Sequence, residues 1–263
     1  MIANFFHTLS EHGVEALLIS GQATVLYGAA TFSEDIDLWI EPTLENCGRF
    51  LAALRACQAR YYKLTPSFEA DRLLRGHGFH FILPSGTEPA IFLDVMGKPP
   101  RVGSFALARA AANWMDTDWG RVLTIGVRDL VELKKTQRLE DYPVISRLAL
   151  AWFRQPGSTA GPEDYRWAIE NVFTLVEMQR LFAEHPATAT SLPAAAPAAL
   201  REFARQVQVG SEPLEPAATE VTAWMQERIQ RLQQADRGYW RGIIAELRQL
   251  RASGQLMVEG EAV

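Results

Sequence analysis

Two aspartates separated by a single residue, Asp35 and Asp37, open the apolar run DIDLWIE (35–41). On a strand, residues two apart point to one face, so the carboxylates project together while Ile36 and Leu38 face the other way. Close carboxylates repel, and each raises the other's pKa unless a cation sits between them. The fitting cation is Mg²⁺, a hard ion held by one or two carboxylates and by phosphate oxygens. A third carboxylate, Asp94, lies in AIFLDVM (90–96), where a lone buried Asp is costly unless paired or metal-bound. PSGTEP separates GFHFIL (78–83) from AIFLDVM, which predicts an antiparallel hairpin that brings Asp94 alongside the Asp35/Asp37 strand. Three carboxylates can hold two divalent ions for an in-line displacement at phosphorus. An Asp-x-Asp at a strand start is a weak signal alone. Its coupling to Asp94 and to the small-residue turn Ser20-Gly21 upstream strengthens it.

The elements that must position these groups fall in the first part of the chain. The runs 14–19, 35–41, 78–83, 90–96 and 121–126 read as strands. Segments 22–28, 43–60, 104–115 and 127–138 read as helices, with Thr43 as an N-cap. His80 alternates onto the same side as the carboxylates and reads as a hydrogen-bonded strand residue near the cleft. After about residue 154 the strand signal ends, and 162–184, 197–208, 217–235 and 236–252 read as helices. Prolines in 185–197 and 210–216 mark loops, and the last six residues read as frayed. The expected fold class is therefore α+β, a mixed sheet with flanking helices followed by a helical C-terminal domain, divided as 1–155 and 156–263.

The 263 residues carry 26 basic and 31 acidic side chains, a net charge of −5. That balance argues against a basic nucleic-acid-binding domain. Apolar runs are too short to span a bilayer. The N-terminus lacks a basic leader region, and Cys47 and Cys57 suit neither a disulfide framework nor a zinc site. We expect a cytoplasmic protein with no membrane association and two unpaired thiols. Arg228, Arg231, Arg237 and Arg241 read as solvated helix faces, and the seven tryptophans as packing residues.

The segment Ile19-Ser20-Gly21, followed by residues 22–34 and by Asp35-Ile36-Asp37-Leu38, resembles the signature of the DNA-polymerase-β-like nucleotidyltransferase superfamily. The likeness is nearest to its minimal nucleotidyltransferases and AbiEii-type toxins. Gly28 matches the glycine that ends the helix after the turn, and Asp94 the third carboxylate. Within 127–148, Lys134, Arg138 and Asp141 match a polar helix that follows the catalytic core in AbiEii-like proteins. The match covers about 130 residues, and none is found for the helical remainder. Ser20 replaces the usual first glycine of the turn, and Thr31 stands where many relatives have Arg.

The resemblance implies an NTP donor and two Mg²⁺ ions held by Asp35, Asp37 and Asp94. It gives these three the catalytic roles, with Asp94 also orienting the attacking hydroxyl. Ser20 and Gly21 hold the triphosphate through backbone N–H groups at a helix start, and Lys134 is a candidate phosphate contact. The implied activity is transfer of a nucleoside monophosphate to an acceptor hydroxyl on RNA, protein or a small molecule. A toxin-like role with a cognate antitoxin is the preferred form. The alternative is a degenerate member of the same fold that binds a nucleotide or a partner without catalysis.

Overall fold

A computed structural model describes residues 2–84, 90–155, 159–211 and 215–263. The first helix, α1 (Ile2–Glu11), leads into strand β1 (Ala16–Ile19), helix α2 (Ser20–Leu26) and strand β2 (Ile36–Ile40). Helix α3 (Leu44–Ala56) follows, then β3 (Arg60–Tyr61), α4 (Ala70–Leu74), β4 (Gly78–Leu83) and β5 (Ile91–Met96). Next come α5 (Phe105–Ala110), β6 (Asn113–Thr117), β7 (Gly120–Thr124), α6 (Val127–Lys134) and α7 (Asp141–Trp152). Helices α8 (Pro162–Glu170), α9 (Leu175–Glu184), α10 (Ala198–Gln208) and α11 (Glu215–Ala252) complete the chain, with a 3₁₀ turn at Pro186–Thr190.

The strands form one mixed sheet in the order β3-β4-β5-β2-β1-β7-β6. β2 runs antiparallel to β1 and parallel to β5, and β4 pairs antiparallel with β5 as the hairpin spacing predicts. Part of the connecting loop, residues 85–89, lies outside the described residues. The alternation is visible in β4, where Phe79, Phe81 and Leu83 are buried and Gly78, His80 and Ile82 are half-buried. One sheet face presents Leu18, Ile36, Leu38, Leu93 and Val95 to a core completed by Phe5 and Leu9 of α1 and by Phe50 and Leu54 of α3. Thr43 caps α3, its hydroxyl accepting from Asn46 N at 3.2 Å. Buried Asn46 braces β1 against β2: its Nδ2 donates to Glu15 O and Glu41 O, and its Oδ1 accepts from Glu15 N. The chain is thus α+β, with a seven-stranded mixed sheet, flanking helices and a helical region after it.

Two compact units are distinguished. One comprises 1–26, 30–133 and 238–263; the other comprises 27–29 and 134–237. This differs from the expected division at 155, because α7 places Ala149 and Leu150 in the core of the helical unit, with Ile169, Leu181, Phe182 and Phe203. It also returns the last residues of α11 and the tail to the sheet-bearing unit.

Several local expectations are corrected. Segment 104–115 is not one helix, since α5 stops at Ala110 and β6 pairs with β7 through the Thr117–Gly120 turn. Segment 162–184 is interrupted: Asn171 ends α8, and Thr174 starts α9 by accepting from Glu177 N. Segments 217–235 and 236–252 are one 38-residue helix, α11. Residues 258–263 are not frayed. Gly260 N donates to Tyr61 O, Tyr61 N to Glu261 O and Val263 N to Ala59 O, so the tail is paired along β3. Among the described residues no helix is long and apolar enough to cross a membrane. Cys47 and Cys57 are unpaired thiols.

Candidate active site

The strand registers draw one line of residues across four strands. Ile19 stands opposite Asp37, Asp37 opposite Asp94, and Asp94 opposite His80. Neighbouring strands lie about 4.8 Å apart, and side chains paired in register share a face. The two carboxylates and the imidazole therefore lie on the sheet face opposite the apolar core. Asp94 is half-buried, its side chain 31% exposed, rather than buried as its apolar flanks suggest. The alternation that buries Leu93 and Val95 turns Asp94 outward. His80 Nδ1 lies 2.7 Å from Asp94 Oδ1, which holds that carboxylate in place.

Asp35 immediately precedes β2. Burial, followed by the charge of Asp94, raises its carboxyl pKa above the ordinary value, and Lys63 and His80 act in the opposite direction. Asp94 and Glu34 thus act on Asp35 from one side of the balance, and Lys63 and His80 from the other. Lys63 has no strand or helix signal, and its φ of 53° puts it in the left-handed region. It is a basic residue of the site that the sequence reading passed over.

The turn between β1 and α2 is tight. Ser20 adopts φ 56°, a conformation in which glycine is the usual choice, and its carbonyl accepts from Thr24 Oγ1 at 2.7 Å. A Cβ on Gly21 would lie 2.1 Å from Ser33 Oγ, 2.9 Å from Ser33 Cβ and 4.0 Å from Asp37 Oδ2. Gly21 thus lets the loop before Asp35 pass against the turn beside Asp37. Gln22 Nε2 fastens the same loop by donating to Ser33 O at 2.8 Å. Lys134 is grouped with the helical unit, and its ammonium pairs with Asp141 at 3.4 Å. Arg138 pairs with the other oxygen of Asp141 at 3.2 Å.

The end of α11 covers the carboxylate face. Trp240, Ile243 and Leu247 form an apolar wall of a cavity of about 230 Å³, and Asp37, His80 and Asp94 supply its polar side. The wall residues follow helical spacing, but only the fold identifies what they face. Glu246 tethers this stretch by pairing with Arg75 and with His77 Nε2, and Tyr239 OH donates to Lys98 O at 3.0 Å.

Asp35, Asp37 and Asp94 offer hard oxygen donors, and the Asp35 carboxyl, raised first by burial and then by Asp94, is one whose ionised form a nearby cation would favour. In donor chemistry the set fits a divalent ion such as Mg²⁺. Among the described residues, no three His, Cys, Asp or Glu side chains converge as a ready metal cluster.

No family model and no curated protein matches the sequence. A solved structure of ANT(2")-Ia in complex with adenylyl-2"-tobramycin is similar to this chain at a TM-score of 0.33. The identity is 13%, over 78% of this chain and 91% of that one.

Proposed function

We propose that the chain is a Mg²⁺-dependent nucleotidyltransferase that moves a nucleoside monophosphate from an NTP to an acceptor hydroxyl. The observation that carries this reading is the in-register pair Asp37–Asp94, with Asp35 and the Ser20–Gly21 turn beside it. In the proposal Asp35, Asp37 and Asp94 would hold the divalent ions, which when bound would neutralise charge on the attacking hydroxyl oxygen and the leaving pyrophosphate oxygen. His80 fixes the orientation of Asp94, and Asp94 orients the acceptor hydroxyl. The acceptor oxygen forms the new ester bond at the α-phosphorus as that atom's bond to pyrophosphate breaks, and the hydroxyl proton passes to Asp94. Backbone N–H groups at Ser20 and Gly21 and the ammonium of Lys63 receive the triphosphate charge. Lys134, already paired with Asp141, receives no phosphate in this scheme. The acceptor is an RNA, protein or small-molecule hydroxyl, and a toxin role with an antitoxin belongs to the same proposal.

The test is label transfer from each α-labelled NTP in cell extract with Mg²⁺ or Mn²⁺, the products being separated into protein, RNA and small-molecule fractions. Transfer lost in a folded Asp35→Asn/Asp37→Asn variant supports the proposal, and transfer retained in that variant refutes it. One observation favours a binding-only reading: His80 already engages an oxygen of Asp94. That reading expects NTP affinity to be the same with and without Mg²⁺.

A further inference from the structure

The helical unit holds a cavity of about 300 Å³ that the proposed chemistry leaves unused. Three basic side chains, Lys135, Arg228 and Arg231, line it together with one carboxylate, Glu170. Arg228 is not the solvated helix residue that its sequence context suggests. Its guanidinium carbon lies 4.7 Å from the ring centroid of Phe173 and 4.2 Å from that of Trp224. Aromatic contact takes up the flat faces of a guanidinium and leaves its N–H edge for polar partners. On that edge Nη1 is buried and has no hydrogen-bond partner. Burial lowers the pKa of Arg228 to about 10, with Glu170 opposing and Arg231 reinforcing the shift, so the group remains a cation at neutral pH. Arg231 is mostly exposed, and its pairing with Glu227 is long, 3.8 Å.

A buried donor left without an acceptor is costly, and a charged one more so. Glu170 is the one carboxylate among the side chains that line the cavity, against three basic ones, so the lining is net positive and suits an anion. We infer that this cavity binds a phosphoryl group. Arg228, held against Phe173 and Trp224, supplies a guanidinium to the cavity wall, and Lys135 and Arg231 add basic groups to the same lining. The guanidinium fork matches phosphate geometry, and the aromatic rings fix its plane before the ligand arrives. Both a mononucleotide and an RNA backbone carry this group.

Titration calorimetry at low salt tests the inference, in the Asp35→Asn/Asp37→Asn background so that the sheet-bearing unit's candidate site contributes little. The probes are inorganic phosphate, AMP and an oligouridylate. We expect saturable binding that Arg228→Lys weakens about tenfold, because a lysine keeps the charge but loses the planar fork. Arg231→Gln, at an exposed position that leaves folding intact, weakens it about threefold. Tighter binding of AMP than of oligouridylate assigns the site to a mononucleotide, and the reverse order assigns it to RNA. No saturable binding of any probe overturns the inference. So do affinities unchanged in Arg231→Gln together with a folded Arg228→Lys.

Discussion

Gly21→Ala tests how closely the turn is built against the loop that delivers Asp35. The new methyl group would meet Ser33 Oγ at 2.1 Å and Ser33 Cβ at 2.9 Å. Rotation about χ1 removes the first contact but not the second, because Ser33 Cβ is fixed to its backbone. The loop must therefore move by several tenths of an ångström. Overpacking of this kind costs about 1–3 kcal/mol. Alanine returns at most about 1 kcal/mol of helix propensity at the start of α2. The net loss is about 1–2 kcal/mol, a fall in melting temperature of about 2–8 °C for a chain of this size. Ser33→Gly removes the obstructing Cβ while keeping the backbone carbonyl that Gln22 engages. Added to Gly21→Ala, it should restore about 1 kcal/mol or more, a favourable coupling in a double-mutant cycle. Thermal unfolding followed by circular dichroism, together with label transfer, reads both effects. Gly21→Ala at parental stability, or a double variant no better than Gly21→Ala, refutes the close-approach argument.

Three further outcomes follow from the structure. Because burial and Asp94 raise the Asp35 pKa, the folded protein holds that proton more tightly than the unfolded chain, and stability falls as pH rises through the folded-state pKa. Asp35→Asn should therefore raise the urea midpoint at neutral pH in metal-free buffer, with the advantage shrinking as pH is lowered through that titration. Asp141, 6% exposed, accepts from Thr136 Oγ1 at 2.5 Å and pairs with Arg138 and Lys134, so Asp141→Ala should cost about 3–5 kcal/mol in denaturant unfolding. Removing residues 255–263 breaks the Met257–Thr65, Gly260–Tyr61, Glu261–Tyr61 and Val263–Ala59 backbone bonds, at about 0.5–1.5 kcal/mol each. Amide exchange around Tyr61 and Thr65 should accelerate in that variant.

The carboxylate strands were legible because period-two alternation and one antiparallel hairpin suffice to put Asp37, Asp94 and His80 on one face. Thr43 was legible as a cap because its hydroxyl acts locally. β6 was not: all five of its residues, Asn113 to Thr117, remain partly or fully exposed, so burial imposes no readable alternation on that edge strand. Lys63 escaped notice because a left-handed residue in an irregular segment has no periodicity. The apolar stripe Trp240, Ile243 and Leu247 follows helical spacing, yet nothing local says that it faces carboxylates rather than another helix. The separation of α8 from α9 could have been read from Thr174 and Glu177, a Thr-x-x-Glu helix-start signature placed inside an otherwise continuous helical pattern.

The pairing of Arg60 with Gly260, 200 residues apart, also bears on how this protein is made. A ribosome releases the sheet strands early, but the segment that closes their β3 edge and covers the carboxylate face emerges after them and after the helical segment. During synthesis the helical unit, whose main segment is continuous in sequence, can complete its core first. The sheet-bearing unit waits with an open edge, and its long loop closure slows the final step. The carboxylate site is therefore assembled only when the returning helix arrives.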